Sequence, residues 1–189
     1  MHQCCVVFSK EFPTDNVLKK MLEPFDEADV FAQPEETRKY PAFTWDWYQI
    51  GGRYNGALKL SVTGNDDLYE WEYYAKEPRS GRLFRSLLLE TMRKKHTYGF
   101  YDSEENYYAS LGFRDGFLYV DGGKISDIIN VDDLADCFCF VDVYGVGHAR
   151  AYWDGNDYTR LSDEVFERLF KTAVEENGDG YICVVDLHD

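Results

Sequence analysis

Apolar residues recur with two different periods along this chain, and the switches between them predict its elements. Cys4-Cys5-Val6-Val7-Phe8 is a short continuous run of β-formers, which predicts a buried first strand. Val17, Leu18, Met21, Leu22 and Phe25 then share one face at helical spacing. Thr14 stands where an N-cap belongs, Asp15 lies in the first turn, where a carboxylate suits the helix dipole, and Pro24 marks the end or a kink. Residues 26–44 lose both periods and carry Pro34 and Pro41, so they read as an irregular acidic excursion. Residues 45–62 return to a β-prone pattern broken by Gly51-Gly52, which two strands or one bent strand satisfies.

Further on, Leu83, Phe84, Leu87, Leu88 and Met92 fall on one face of a helix predicted over 79–96, with Ser80 as its cap. Phe117–Ile129 reads as strand, turn, strand about Asp121-Gly122-Gly123, and Cys137–Trp153 reads the same way about Gly145-Val146-Gly147. Ser162 caps a helix whose inner face is Val165, Phe166, Leu169, Phe170, Ala173 and Val174; Asn177-Gly178-Asp179-Gly180 ends it, and Tyr181–Leu187 is a final strand. Strand-helix and helix-strand units thus bracket hairpins, an α+β order rather than an alternating one. The topology expected is a ferredoxin-like split βαβ core with inserted β-hairpins and an extra helix, in a single domain over 1–189 carrying an insertion at 63–135.

Composition sharpens this. Among 189 residues, 35 acidic and 20 basic side chains give a formal net charge of −15, a field that repels nucleic acid and anionic membranes and favours basic partners or plain solubility. Aromatic residues at 17% argue for a large packed core and against disorder. The five cysteines lie in apolar runs and form no C-x-x-C pair, as expected of buried free thiols in a reducing compartment. No charged leader with a long apolar core and no run of 18 apolar residues is present, so neither a signal peptide nor a membrane span is expected.

Trp45-Asp46-Trp47-Tyr48-Gln49-Ile50-Gly51-Gly52-Arg53-Tyr54 resembles the W-D-W-(Y/W)-x-I-G-G-R-(W/Y) motif of a loose group of small bacterial and phage or mobile-element proteins of uncharacterised function. The hairpin at Val141–Trp153 and the ending Val184-Val185-Asp186-Leu187-His188 are similar to later parts of the same group, so the resemblance covers about a quarter of the chain. It departs at Tyr54, where the group has tryptophan, and at Gly145-Val146-Gly147-His148, where the group has an Asp-Gly-Glu-Trp turn. The resemblance implies a phage setting and a bacterial cytoplasm, but no reaction and no catalytic residues.

Several side chains could carry chemistry. In the tryptophan motif, alternation on a strand would put Trp45, Trp47 and Gln49 on one face and Asp46, Tyr48 and Ile50 on the other. Rings beside Arg53 and Tyr54 could stack on a base, a sugar or a partner side chain; alternatively Trp45 and Trp47 are core plugs and Arg53 pairs with Asp46. Asp186 and His188 share a strand face and could be two metal ligands, or a base with its orienting carboxylate, with His2, His96, His148 or Asp142 as the partner from afar; alternatively they are an exposed chain end. Cys4 and Cys5 could belong to a Cys/His dyad or be structural thiols. Arg79, Arg82, Arg85, Arg93, Lys94 and Lys95 make a basic island on 79–96, suited to phosphates or to the protein's own acidic surface, or that of a second copy forming a homodimer. No Walker loop, dinucleotide fingerprint, zinc-protease motif or nucleophile elbow occurs.

Two readings remain. In the first, a phage binding protein of the anti-CRISPR or anti-restriction type inhibits a basic, nucleic-acid-binding host protein through acidic and aromatic surface, without cofactor, metal, membrane or direct nucleic acid. The lack of catalytic motifs favours it over an enzyme. In the second, a small enzyme acts on a nucleotide or nucleic acid in a pocket near Trp45, Arg53, Asp186 and His188.

Overall fold

The computed structural model describes residues 1–54, 56–60, 70–74, 86–88, 113–114, 117–153 and 155–189. Its spine is an antiparallel pair made by the two ends of the chain, β1 (His2–Ser9) and β13 (Tyr181–His188), in register from His2 opposite His188 to Ser9 opposite Tyr181. On the far side of β1 lies β9 (Cys139–Val141), parallel to it, followed by β10 (Gly147–Ala149), antiparallel to β9. The other edge of β13 is shared end to end. β2 (Trp47–Ile50) pairs with its second half, and β8 (Gly122–Lys124) with its first. The sheet continues from β8 into β4 (Glu70–Tyr74) and β5 (Ser86–Leu88). β3 (Leu58–Leu60), β6 (Phe113–Arg114) and β7 (Phe117–Val120) form a second sheet, and β11 (Ala151–Trp153) pairs with β12 (Tyr158–Arg160).

Both faces of the spine are covered, which is why its strands read as near-continuous apolar runs. One face buries Val6, Phe8, Phe140, Ile182 and Val184 against Phe166, Phe170 and Ala173 of α3 (Asp163–Asn177). The other buries Cys5, Val7, Cys139, Val141, Cys183, Val185 and Leu187 against Leu18 and Leu22 of α1 (Asp15–Leu22). The predicted caps are in place: Thr14 Oγ1 accepts from the Val17 N–H and Ser162 Oγ from the Val165 N–H.

The chain is α+β, as its pattern predicts. The pairing, however, differs from a ferredoxin-like sheet, in which every neighbouring pair is antiparallel. Here β1 and β9 are parallel neighbours, and the long helices lie on opposite faces. A split βαβ survives only at the C-terminal end, where β10 and β13 run parallel with β9 and β1 between them.

Three local expectations also change. The excursion at 26–44 holds a short helix, α2 (Glu27–Ala32), because Asp26 caps it by accepting the Ala28 N–H. β7 and β8 are not a hairpin; they join different sheets, and Asp121 is the switch between them. Of the helix expected over 79–96, residues 86–88 are strand, while the rest of that segment and its basic island lie outside the described residues. Among the described residues, no helix is long and apolar enough to cross a membrane.

Candidate functional site: a paired histidine–aspartate cluster

Asp186 is the one polar residue among the six buried positions of β13, at 1% exposure. A buried carboxylate is costly unless its oxygens are satisfied. Two groups satisfy it. His2 Nδ1 lies 2.9 Å from Oδ1, and the Arg53 backbone N–H donates to Oδ2 at 3.0 Å. The second donor explains the Gly-Gly-Arg sequence. The chain must turn immediately after β2 and press its backbone against the carboxylate. Gly52 does so at φ +53°, where a Cβ would sit 2.4 Å from the Asp186 Cβ, and Gly51 at φ +66° lies equally close to the Asp121 carboxylate. Asp121, fully buried, accepts from the Gly56 N–H at 2.7 Å. Gly51–Tyr54 and Gly56 thus close around two buried carboxylates.

Register assembles the rest of the cluster. His2 faces His188 across β1 and β13, and His188 faces Trp47 across β13 and β2, so the three rings share one face of the sheet, beyond the Val6–Val184 pair. His2 and His188 meet edge-to-face, with centroids 5.1 Å apart. His188 stacks on Trp47 at 5.0 Å, and His2 meets the edge of the same indole. His188 Nδ1 lies 2.9 Å from Asp46 Oδ1. That hydrogen bond holds the exposed Asp46 carboxyl below its ordinary pKa. Each imidazole is therefore oriented through Nδ1 by a carboxylate, which leaves Nε2 as the acceptor nitrogen of the neutral ring. Trp47 stays 41% exposed, and Arg53, whose backbone N–H meets Asp186, is also exposed.

The sequence candidates therefore separate. Asp46, Trp47, Arg53, Asp186 and His188 come together, and Tyr54 joins them through a hydroxyl donating to the His2 carbonyl at 3.4 Å. Trp45 and Tyr48 do not. Trp45 is buried in the opposite core, where Nε1 donates to the Leu22 carbonyl at 2.9 Å, and Tyr48 packs edge-on against it. The alternation expected from Trp45 fails because β2 begins only at Trp47, and residue 46 bends the chain. Arg53 does not pair with Asp46, whose partner is His188.

His2 is the member that sequence reasoning weighed only as a distant ligand; its signal is the i, i+2 spacing from Cys4, whose strand partner is Asp186. The cysteines do not join in as nucleophiles. Burial pushes the Cys4 thiol up to about 12, and burial likewise raises Cys137, Cys139 and Cys183. Among the described residues, no group of three or more His, Cys, Asp or Glu is arranged to hold a metal ion.

Set against known proteins, the chain matches no family model, no curated protein and no solved structure.

Proposed function

We propose that this protein is a small enzyme that cleaves a phosphate ester of a nucleotide by general acid–base catalysis, with His2 and His188 as the proton-transfer pair. The observation that carries this reading is the pair itself: two imidazoles 5.1 Å apart, each held by a carboxylate at 2.9 Å. Ester cleavage needs a base to take the proton of the attacking hydroxyl or water, and an acid to return one to the leaving oxygen. Two oriented imidazoles side by side supply both. Arg53 offers a guanidinium to the phosphate, and the open part of Trp47 offers a stacking surface for a base. The net charge of −15 weighs against a long polyanion more heavily than against a nucleotide with a single phosphate.

The test is cleavage of thymidylyl-(3′→5′)-thymidine to thymidine and thymidine monophosphate, whose alkoxide leaving group needs the acid, across pH 5 to 9. We expect a bell-shaped profile, and a loss of about 100-fold in His2→Gln and in His188→Gln, each folded like the parent. Turnover no faster in the parent than in the double variant would end the proposal.

A second reading rests on a separate surface. Helix α3 exposes Asp163, Glu164, Glu167, Glu175 and Glu176, with Arg168 and Lys171 exposed among them, and the 3-10 turn packed beside it exposes Asp132, Asp133 and Asp136. Arg150 is already engaged there with Asp163 at 2.6 Å. This acidic layer supports the binding-protein alternative, an inhibitor of a basic nucleic-acid-binding host protein in a bacterial cytoplasm. Such a partner should be retained from bacterial lysate at low salt and released at physiological salt. Retention indifferent to salt would exclude it.

A further inference from the structure

Phe31, an exposed ring, lines two hollows of different chemistry. The larger, about 510 Å³, is walled by aromatic residues: Phe31, Tyr40 and Phe43 from the segment after α1, and Trp153 and Tyr158 from the β11–β12 hairpin. Trp153 and Tyr158 stand directly opposite each other in the hairpin, so both project on one side of it, and both are exposed. The smaller hollow, about 370 Å³, is acidic, with Asp26, Glu27 and Asp46 lining it beside Phe31. A ligand that crosses Phe31 therefore meets carboxylates at one end and aromatic rings at the other.

The charge around the two hollows is one-sided. Among the described residues that line them there is no lysine and no arginine. The Met1 amino group at the larger hollow is offset by the Asp189 carboxylate 3.0 Å away. Over residues 26–46, six acidic side chains stand against two basic ones, Arg38 and Lys39. Arg38 is already committed. Its guanidinium lies 5.0 Å from the Phe31 ring centre and 5.9 Å from that of Tyr40, and its Nη2 donates to the Phe31 and Gln33 carbonyls. Two of the rings that wall the groove thus already hold a guanidinium contributed by a residue outside its lining. The negative field disfavours an anionic occupant, and two chains of −15 each repel, which disfavours a second copy. An uncharged ligand would leave the three carboxylates unused.

Aromatic rings attract any cation to their faces, and a planar guanidinium also stacks on them, which an ammonium does not. We infer that the two hollows form a docking groove for an arginine-containing segment of a basic partner protein, with one guanidinium against Trp153 and Tyr158 and a second held by Asp26, Glu27 and Asp46. A peptide answers both hollows at once because it carries two cations on one backbone. The inference requires neither that the histidine pair be catalytic nor that the acidic layer of α3 bind anything.

Calorimetric titration with the capped tetrapeptides of arginine and of lysine tests it, at about 0.15 M salt so that long-range charge is screened. The two peptides carry equal charge and differ in the shape of the cation. The arginine peptide should bind about tenfold more tightly. The double variant Trp153→Ala, Tyr158→Ala, altered only at exposed positions, should bring the two peptides to equal affinity. Glu27→Gln should weaken both, whereas Glu164→Gln on α3 should leave both unchanged. Equal affinity of the parent for the two peptides overturns the inference, whether or not any variant folds. An arginine preference that survives the loss of Trp153 and Tyr158 overturns it as well, because the guanidinium is then held elsewhere.

Discussion

The turn between β9 and β10 and the loop between β2 and β3 solve the same problem with different results. In each, backbone N–H donation and an imidazole satisfy an aspartate, with two N–H groups at the turn and one at the loop. In the turn, Asp142 Oδ1 accepts from the Tyr144 and Val146 N–H groups, and its Oδ2 lies 3.0 Å from His148 Nε2. His148, its side chain 21% exposed, then stacks at 4.5 Å on Phe140 of the core that α3 covers. In the loop, Asp186 holds His2 and the Arg53 N–H in the same way, but His2 meets a second oriented histidine and an exposed tryptophan instead of the core. A His–Asp pair is therefore not by itself a sign of catalysis. What separates a turn lock from a candidate site is what the imidazole faces on its other side.

The glycines of the two regions offer the largest break. Gly52 has φ +53° with the Asp186 Cβ 2.4 Å from its own ideal Cβ position, and the root of a side chain in a central strand cannot swing away. Gly145 in the turn has φ +82° and nothing within 4 Å. Backbone strain and overpacking add in the first case, and only strain acts in the second. Gly52→Ala should cost about 4 kcal/mol in chemical denaturation, and Gly145→Ala about 1 kcal/mol. Equal costs would show that the loop is not tightened onto Asp186.

Removing the carboxylates ranks next. Asp186→Leu strands the Arg53 N–H and the His2 imidazole, and should cost about 3 kcal/mol. It should also abolish any ester cleavage, because His2 loses its orientation. The sharper contrast lies between the histidines. His148→Phe should cost about 1 kcal/mol of stability and leave activity intact, whereas His2→Gln should cost less than about 1 kcal/mol and remove activity. A stability loss at His2 as large as that at Asp186, with no effect on turnover, would make the cluster a clasp for the chain's two end strands.

Much of the frame was legible because periodicity and caps act locally. Thr14, Ser162 and the apolar stripes of α1 and α3 place two helices, and the runs at 4–8 and 181–187 place the spine. Strand order was not legible, because β2 and β8 share one edge of β13 through contacts between residues far apart in sequence. The same cause hid half the site. Asp186 stands out as a carboxylate inside an apolar strand, and Gly51-Gly52 as a demand for unusual backbone, but that His2 meets Asp186 depends on register across 184 residues. Trp45 lies outside the alternation of β2 because the chain bends at residue 46.

The thiols test burial rather than geometry. Cys4, Cys137, Cys139 and Cys183 all carry raised pKa values because burial disfavours the thiolate. At pH 8 the native protein should react slowly with a disulfide reagent, and the denatured chain should titrate five thiols rapidly. Since these groups keep their protons in the fold beyond the ordinary range, the stability they contribute is complete below that range. It is lost as pH rises from there toward about 12, where Cys4 titrates.

The smallest effect belongs to Asp46, the exposed counterpart of Asp186. Its carboxyl is lowered first by the hydrogen bond from His188, and an exposed pair of this kind is weak. A depressed carboxyl stabilises the fold above its ordinary range and loses that contribution as pH falls through its folded value. The Tm gap between the parent and Asp46→Asn should therefore be small near neutral pH and close as the pH falls below the ordinary aspartate range. Turnover should be the more sensitive readout. If Asp46 orients the proton-transfer face of His188, Asp46→Asn lowers kcat at an unchanged KM, and Asp46→Glu restores part of it. If instead kcat stays at the parental value while Tm shifts, the hydrogen bond only tethers the end of β13 to β2, and His2 would have to act without an oriented partner.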